Sequence, residues 1–578
     1  MTDTPNTAPA ETSTRPTRTP RPRGEGQWGL GYHEPLNTVE QIKKEHDGLL
    51  VRERVERIFA PGGFRSIGKQ DLRSRLRWWG LYTQRKQGVP GERTGSAEPE
   101  ELEDEFFMLR IRIDGGQLTS EQLRAIAWAS ERHGRDVADL TDRQNVQLHW
   151  IRIEDVPALW ERLEGVGLTT QEACGDTPRV MMGCPLAGVT ADEVLDGGPD
   201  VRAVATRILG DPAFSNLPRK YKTSVSGCAV QCTNPEINDI AFVGVVHPEL
   251  GAGYDLLVGG GLSTNPMFAI RLGAFVEPAA VPDVWVGVTS LFREYGYRRS
   301  RNHARIKFLV KDWGAGRVRE TLEQEFLGRS LPDGPAAALA PMGRRDHDGV
   351  TPQRDGLVSV GAAPHAGRIL GHQLRALAEL ADGFGRGRLA VTPQQKIVLL
   401  DVAPERADEL VERMAEVELD VRPHPIRRGI MACTGIEFCK LAIGETKGRA
   451  RWLAEVLAAR FPELDQDVRI HVNGCPNSCA RFQVADVGLM SALQVRPDGT
   501  RSDAFLIHLG GAMGGDDPSF ARKVKGVKVL AEDAADYLTL LISRYLRGRI
   551  DDESFSTFVR RLDDRELARF AEPEGGRR

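Results

Sequence analysis

The segment Gln122-Leu-Arg-Ala-Ile-Ala127 recurs 251 positions later as Gln373-Leu-Arg-Ala-Leu-Ala378, and no other feature of the sequence restricts the fold so tightly. Carried forward without a gap, the same offset pairs Gly134 with Gly385, Thr141 with Thr392, Gln144 with Gln395 and Val146 with Ile397. A six-residue match alone can arise by chance, but the gapless run of further matches argues against it. Each copy reads as strand, helix, strand, helix. In the first, a strand over Phe107–Ile113 precedes a helix starting near Ser120, where a preceding Thr and a following Glu suit an N-terminus. Alternating apolar and polar residues predict a second strand over Val146–Ile153, and Val156–Leu163 closes the unit as a helix. A weaker echo joins Ile237–Gly244 to Val484–Gly488, and Leu256–Gly260 to Leu506–Gly511. The reading is an internal duplication, each half holding a small α+β domain and a larger α/β one.

Around this repeat, residues 1–26 are dominated by Pro, Thr and Arg and read as a disordered tail, with structure beginning near Trp28. Helical spacing is expected over Val51–Phe59 and Lys69–Tyr82, and a loop over Gln87–Pro99. The division expected is an N-terminal extension over 27–100, half-domains over 101–170 and 350–425, and larger domains over 171–335 and 426–578 with C-terminal helices. The chain of 578 residues, with 40% hydrophobic and 27% charged residues, has ample material for real cores. A net charge of −4 gives no reason to expect nucleic acid or an acidic membrane as partner. No apolar run reaches the roughly 18–20 residues that span a bilayer, and the first residues lack the apolar stretch of a secretory signal. A cytoplasmic protein is the default.

Eight cysteines are too few for a disulfide-built scaffold in so long a chain, and they are clustered, which in a reducing compartment points to metal or redox work. Two pairs lie close together, Cys433-Thr-Gly-Ile-Glu-Phe-Cys439 and Asn473-Gly-Cys475-Pro-Asn-Ser-Cys479. Both contain residues that turn backbone toward a metal. Four thiolates can hold a [4Fe–4S] cubane. Four buried free thiols are the bland alternative, and zinc a third, though its sites favour tighter pairs than these.

The pattern C-x₅-C followed by N-G-C-x₃-C resembles the signature of the sirohaem-dependent nitrite and sulfite reductases, and the likeness runs from Gly26 to about Arg560, duplication included. The resemblance implies the internally duplicated fold of that family, with two ferredoxin-like half-domains and two larger α/β domains related by a pseudo-twofold axis. It implies that Cys433, Cys439, Cys475 and Cys479 hold the cluster, and that Cys479 also ligates the sirohaem iron. Arg143, Gln147 and Asn473 match the family's sirohaem contacts.

Reducing a small oxyanion requires fixed positive charge and proton donors over the metal's open face. Arg110, Arg179, Lys220 and Lys222 are each, taken singly, ordinary surface charges. Together they match the family's substrate-binding set, with Lys220 and Lys222 on one face of a strand by alternation. The segments Trp78–Arg85 and Glu172–Asp176 are similar to a bacterial subgroup in which a tyrosine and a cysteine are covalently joined beside the sirohaem. A Tyr82–Cys174 crosslink and a preference for sulfite follow from that likeness. Nitrite remains the alternative substrate. Cys184, Cys228 and Cys232 depart from the family pattern, and are read as small buried residues in the pseudo-symmetric counterpart of the cluster site.

Neither Val258-Gly-Gly-Gly-Leu-Ser-Thr-Asn265 nor Gly63-Phe-Arg-Ser-Ile-Gly68-Lys69 completes a nucleotide-binding fingerprint. The electrons therefore come from outside, by resemblance from ferredoxin. A monomer is expected, because the duplicated chain already supplies its own pseudo-twofold partner. Two rivals stay open: a corrin-pathway monooxygenase of the same fold, and a non-catalytic protein built on it.

Overall fold

The computed structural model describes residues 36–338, 346–514 and 518–573. The expected tail over 1–26 and a start near Trp28 fall outside them. Among the described residues there are four five-stranded sheets, in two like pairs.

The first pair is interlocked. One sheet orders Leu81–Arg85, Glu103–Ile111, Val146–Ile151 and Val137–Leu140, and its last strand, Arg368–Leu370, comes from the other half of the chain. The second orders Gly349–Pro352, Val358–Ala362, Ile397–Val402 and Arg388–Val391, closed by Gln117–Thr119 from the first half. Each half thus lends the other an edge strand, which removes an exposed row of unpaired backbone groups. The helices Ser120–His133 and Gly371–Phe384 begin directly after the lent strands. Leu123, Ile126, Leu374 and Leu377, all fully buried, join one hydrophobic core with Leu148 and Leu399 of the two sheets.

The recurrent glutamines explain why the repeat survives in sequence. Gln122 Oε1 accepts from the Thr119 N–H at 3.0 Å and its Nε2 donates to Val166 O at 3.1 Å. Gln373 does the same with Leu370 N–H at 2.9 Å and Val417 O at 2.8 Å. Each glutamine satisfies an orphan donor at its helix start and ties down the turn after the next helix. Gln144 and Gln395 are equally matched. Gln144 accepts from Gly183 N–H and donates to Gly183 O, both at 3.0 Å. Gln395 donates to Ala432 O at 2.9 Å and accepts from Ala432 N–H at 3.3 Å.

Gly183 and Ala432 end the first strands of the second pair of sheets. One runs Pro178–Gly183, Tyr221–Ser226 and Ile240–His247 in parallel, then Gly251–Val258 and Ile270–Val276 antiparallel. The other repeats this with Ile430–Ala432, Ile470–Asn473, Val487–Val495, Arg501–Leu509 and Arg522–Leu530. The fold is mixed α/β with internal pseudo-twofold symmetry, as the repeat implies.

The N-terminal segment needs one correction. The helix expected over Lys69–Tyr82 stops early: an α-helix covers Lys69–Arg73, a 3₁₀ turn Arg75–Trp79, and Tyr82 lies on the strand Leu81–Arg85. Gly80 makes the break at φ +74°, where an added Cβ would sit 2.7 Å from Arg110 O. Only glycine turns the chain there. The spacing over Val51–Phe59 is helical as expected, though its second turn is a π-helix. The strands expected over Phe107–Ile113 and Val146–Ile153 run Glu103–Ile111 and Val146–Ile151. Among the described residues no helix is long and apolar enough to cross a membrane.

Candidate functional site

The ends of all four sheets meet around one partly open cavity of about 120 Å³. Its polar wall comes from strands whose pleat fixes each side chain. Arg110 is on Glu103–Ile111, and its cross-strand partner Gln147 on Val146–Ile151. Arg179 is on Pro178–Gly183, and Lys220 and Lys222 flank the start of Tyr221–Ser226. Cys433 and Cys479 form the opposite wall, just past Ile430–Ala432 and Ile470–Asn473. Arg110, Arg179, Lys220, Lys222 and Cys479, distant in sequence, thus line the same space.

The cations differ in how they are held. Arg110 donates to Gln147 Oε1 and lies 2.9 Å from Cys174 Sγ. Burial opposes its charge, yet Cys174 and Tyr82 keep its pKa above the ordinary arginine value. Arg179 donates to Gly175 O at 2.8 Å and Ala173 O at 3.3 Å, which fixes its guanidinium against the loop bearing Cys174. Burial, then its neighbour Lys222, lowers the Lys220 pKa well below that of a free lysine. Burial, then Arg143, pulls Lys222 down to about 8. A lysine poised there can give up a proton near neutrality.

Tyr82 and Cys174 are brought together beside these arginines. Burial, then Cys174, raises the Tyr82 phenol, while Arg179, Arg110 and Arg77 oppose the rise. The loop that presents Cys174 begins at Glu172, held at φ +53° with its carboxyl pushed up to about 7 by burial.

The four cysteines of the second half are unpaired thiols on adjoining loops. Burial, then Cys479, raises Cys433 to about 12, and the same two causes raise Cys475. Thiols in mutual electrostatic contact become thiolates together only when a metal centre supplies the positive charge. Gly474 N–H donates to Cys433 Sγ at 3.2 Å, a contact that favours a thiolate there.

Arg143 and Asn473, expected beside the sirohaem, are fixed by hydrogen bonds of their own. Arg143 lines the cavity but is anchored in its wall, donating to Asn238 Oδ1 at 2.9 Å and Val180 O at 2.8 Å. Asn473 Oδ1 accepts from Ala480 N–H at 2.8 Å, which shapes the Cys475–Cys479 loop, while its Nδ2 is buried with no protein partner. Asp139 and Lys447 reach the cavity unannounced by any motif, with Lys447 Nζ 3.6 Å from Asp139 Oδ1. Cys228 and Cys232 follow Tyr221–Ser226 as Cys475 and Cys479 follow Ile470–Asn473, so they do occupy the counterpart loop. All three additional thiols are buried. Among the described residues no three His, Cys, Asp or Glu side chains are arranged to hold a single metal ion.

Family models agree with this arrangement. The nitrite/sulfite reductase ferredoxin-like half-domain matches residues 100–166 and 351–417, and the nitrite and sulphite reductase 4Fe-4S domain matches 174–329. A relative named sulfite reductase [ferredoxin] 1, from Mycolicibacterium paratuberculosis, is 50% identical over 561 residues, covering 96% of this chain and 100% of the relative. The chain belongs to the nitrite and sulfite reductase family. The structure of the Mycobacterium tuberculosis NirA protein superposes on this reductase with a TM-score of 0.90 at 48% identity, over 94% of this chain and all of the other. A ferredoxin–nitrite reductase from Synechococcus elongatus is more distant, 35% identical over 89% of this chain and 97% of its own. The 4Fe-4S match falls on the first larger sheet, while the cysteine quartet follows the second, which repeats its strand order.

Reductases of this family carry sirohaem and a [4Fe–4S] cluster, and the residues present fit both. Four thiols stand on adjoining loops. Arg110 Nε, Arg143 Nε and Ser478 Oγ are buried beside the cavity with no protein partner. Buried donors without acceptors cost free energy unless a ligand satisfies them, and a polycarboxylate macrocycle supplies acceptors.

Proposed function

We propose that this reductase carries sulfite to sulfide with six electrons delivered by ferredoxin. The observation that carries the reading is the convergence of two arginines, two lysines and Cys479 on one cavity. The supporting likeness is the 50% identity to a relative named for sulfite and ferredoxin, against 35% to one named for nitrite.

In this reading Cys433, Cys439, Cys475 and Cys479 would hold the cluster, with Cys479 also holding the sirohaem. The bound cofactors would supply the one-electron reduction chemistry. The protein supplies the rest. Arg110 and Arg179 hold the oxyanion, their forks oriented by Gln147 and by the Ala173–Gly175 carbonyls. Lys220 and Lys222 add charge that grows in effect as oxygens depart, and Lys222 delivers protons from its Nζ. Overall, sulfite, seven protons and six electrons give hydrosulfide and three waters. Arg143, Gln147 and Asn473 would hold the macrocycle, and Asn473 also shapes the loop bearing Cys479. Tyr82 and Cys174 join as a thioether, and this fixes the wall beside Arg110 and Arg179. A C–S bond replaces the Cys174 S–H and one ring C–H of Tyr82, with dioxygen taking the two electrons and two protons as hydrogen peroxide. The chain works as a monomer.

The test is the product. Cofactor-loaded enzyme, reduced ferredoxin and sulfite are expected to yield one sulfide for every six electrons consumed. Electron consumption without sulfide, or none from visibly coloured protein, would sink the reading and bring the monooxygenase alternative forward.

A further inference from the structure

Arg85 ends the strand that carries Tyr82, and it is buried at 1% exposure. Its guanidinium donates only to neutral oxygens. Nη2 reaches Val89 O at 3.1 Å and Pro90 O at 2.9 Å, and Nη1 reaches Thr94 Oγ1 at 3.0 Å. Nη1 also reaches Ala442 O at 3.3 Å and Lys440 O at 3.4 Å, and Nε reaches Val89 O at 3.2 Å. The other buried arginines Arg75, Arg112, Arg293, Arg298, Arg305 and Arg481 each have a carboxylate within ion-pair distance. Among the described residues Arg85 has none.

A buried cation surrounded by dipoles alone is costly, and such charges are normally paired. The carbonyls of Lys440 and Ala442 point to the missing partner, because they follow Cys439 within three residues, while the Arg85 N–H holds the carbonyl of Phe438 just before it. Cys439 is the one ionisable group that favours the Arg85 charge against burial. The backbone holds this juxtaposition as well. Arg85 N–H donates to Phe438 O at 2.9 Å, Thr94 Oγ1 to Ala442 O at 2.8 Å, and Gln87 Nε2 to Glu437 O at 2.6 Å. At Gly91 even a Cβ would meet Ile443 O at 1.7 Å. The segment after the Tyr82 strand is therefore clamped onto the Cys439 loop.

We propose that Arg85 is the buried counter-charge of the iron–sulfur cluster, stabilising its one-electron-reduced form and so setting how readily ferredoxin reduces it. This rests on the assignment of Cys439 as a cluster ligand. Four thiolates around a [4Fe–4S] core leave a net negative charge that grows by one when an electron arrives. A fixed cation beside one thiolate favours the reduced state, since net charge and burial are among the levers that set such potentials. Arg85 acts through the cluster and is an electrostatic positioning residue, not a catalytic one.

The experiment is an EPR-monitored redox titration of holoenzyme, with iron and spin counted in each variant. Arg85→Gln is expected to lower the cluster potential enough to disfavour its reduction tenfold or more, about 59 mV for a one-electron couple. Arg85→Lys, which keeps the charge, stays closer to wild type, whereas a purely structural role would move both variants alike. Should Arg85→Gln fail to load a cluster, Thr94→Asp and Thr94→Asn decide. They differ in whether a carboxylate offsets the guanidinium, and the Asp variant is expected at lower potential. Equal potentials in fully loaded variants overturn the proposal. A Cys439→Ala variant that keeps an intact cluster overturns the ligand assignment instead, and the Arg85 proposal with it.

Discussion

Two side-chain relations decide what the cavity can do, and each has its own consequence. Lys222 is protonated below about 8, where burial and Arg143 have pulled its pKa. A group needed in its charged form gives activity that holds below its pKa and declines above it. The kcat/KM profile for sulfite is therefore expected to be flat through neutrality and to fall above pH 8. Lys222→Arg, which stays charged but releases no proton in this range, is expected to lower kcat and to lose that limb. An unchanged limb would remove Lys222 from proton delivery. The Tyr82–Cys174 pair is checked by mass. Intact wild-type protein is expected to be lighter than its sequence by two hydrogens, and Tyr82→Phe protein to match its sequence. Full wild-type mass, with Cys174 alkylated in its peptide, would show that the thioether does not form. Among these residues, the cysteines are marked by their motif, whereas the four cations are legible only by likeness to the family's substrate-binding set, alternation placing no more than Lys220 and Lys222 on one face. Asp139 and Lys447 could not be read at all, since one lies on a strand and the other opens a helix, and only the fold joins them.

At the scale of elements, the glutamine matched in both copies holds a strand end in place. Gln395 satisfies both backbone groups of Ala432, the residue before Cys433. Gln395→Ala leaves those buried groups without partners, at a cost of about 1–3 kcal/mol. Denaturant unfolding is expected to shift by that amount, with iron content falling because Cys433 loses its anchor. Wild-type stability and iron would show that the repeat keeps Gln395 for another reason. Element types followed the hydrophobic period where segments were long, as in Ser120–His133. The period misled at Lys69–Tyr82, where the residues before Gly80 have helical spacing but the chain turns into a strand against Glu103–Ile111. The three-residue lent strands Gln117–Thr119 and Arg368–Leu370 are too short for any period to register.

For the whole molecule, duplication has produced an interlocked body, not two independent halves. The lent strands and the shared core around Leu123, Leu148, Leu374 and Leu399 mean that neither half-domain completes its sheet alone. A chain ending at residue 338 is expected to be insoluble or unfolded by itself, and to recover native circular dichroism when co-expressed with the remainder. A stable, folded fragment would contradict that interdependence. The repeat made the duplication readable from sequence, but not the exchange, because pairing between halves leaves no local signal. The asymmetry between the halves matters most for function: the second copy presents Cys433, Cys439, Cys475 and Cys479, while the first presents the cations that face them. The most direct measurement is steady-state turnover of sulfite and nitrite side by side, with holoenzyme and reduced ferredoxin. A higher kcat/KM for sulfite, with sulfide as product, is expected; a clear preference for nitrite would contradict the assignment of substrate.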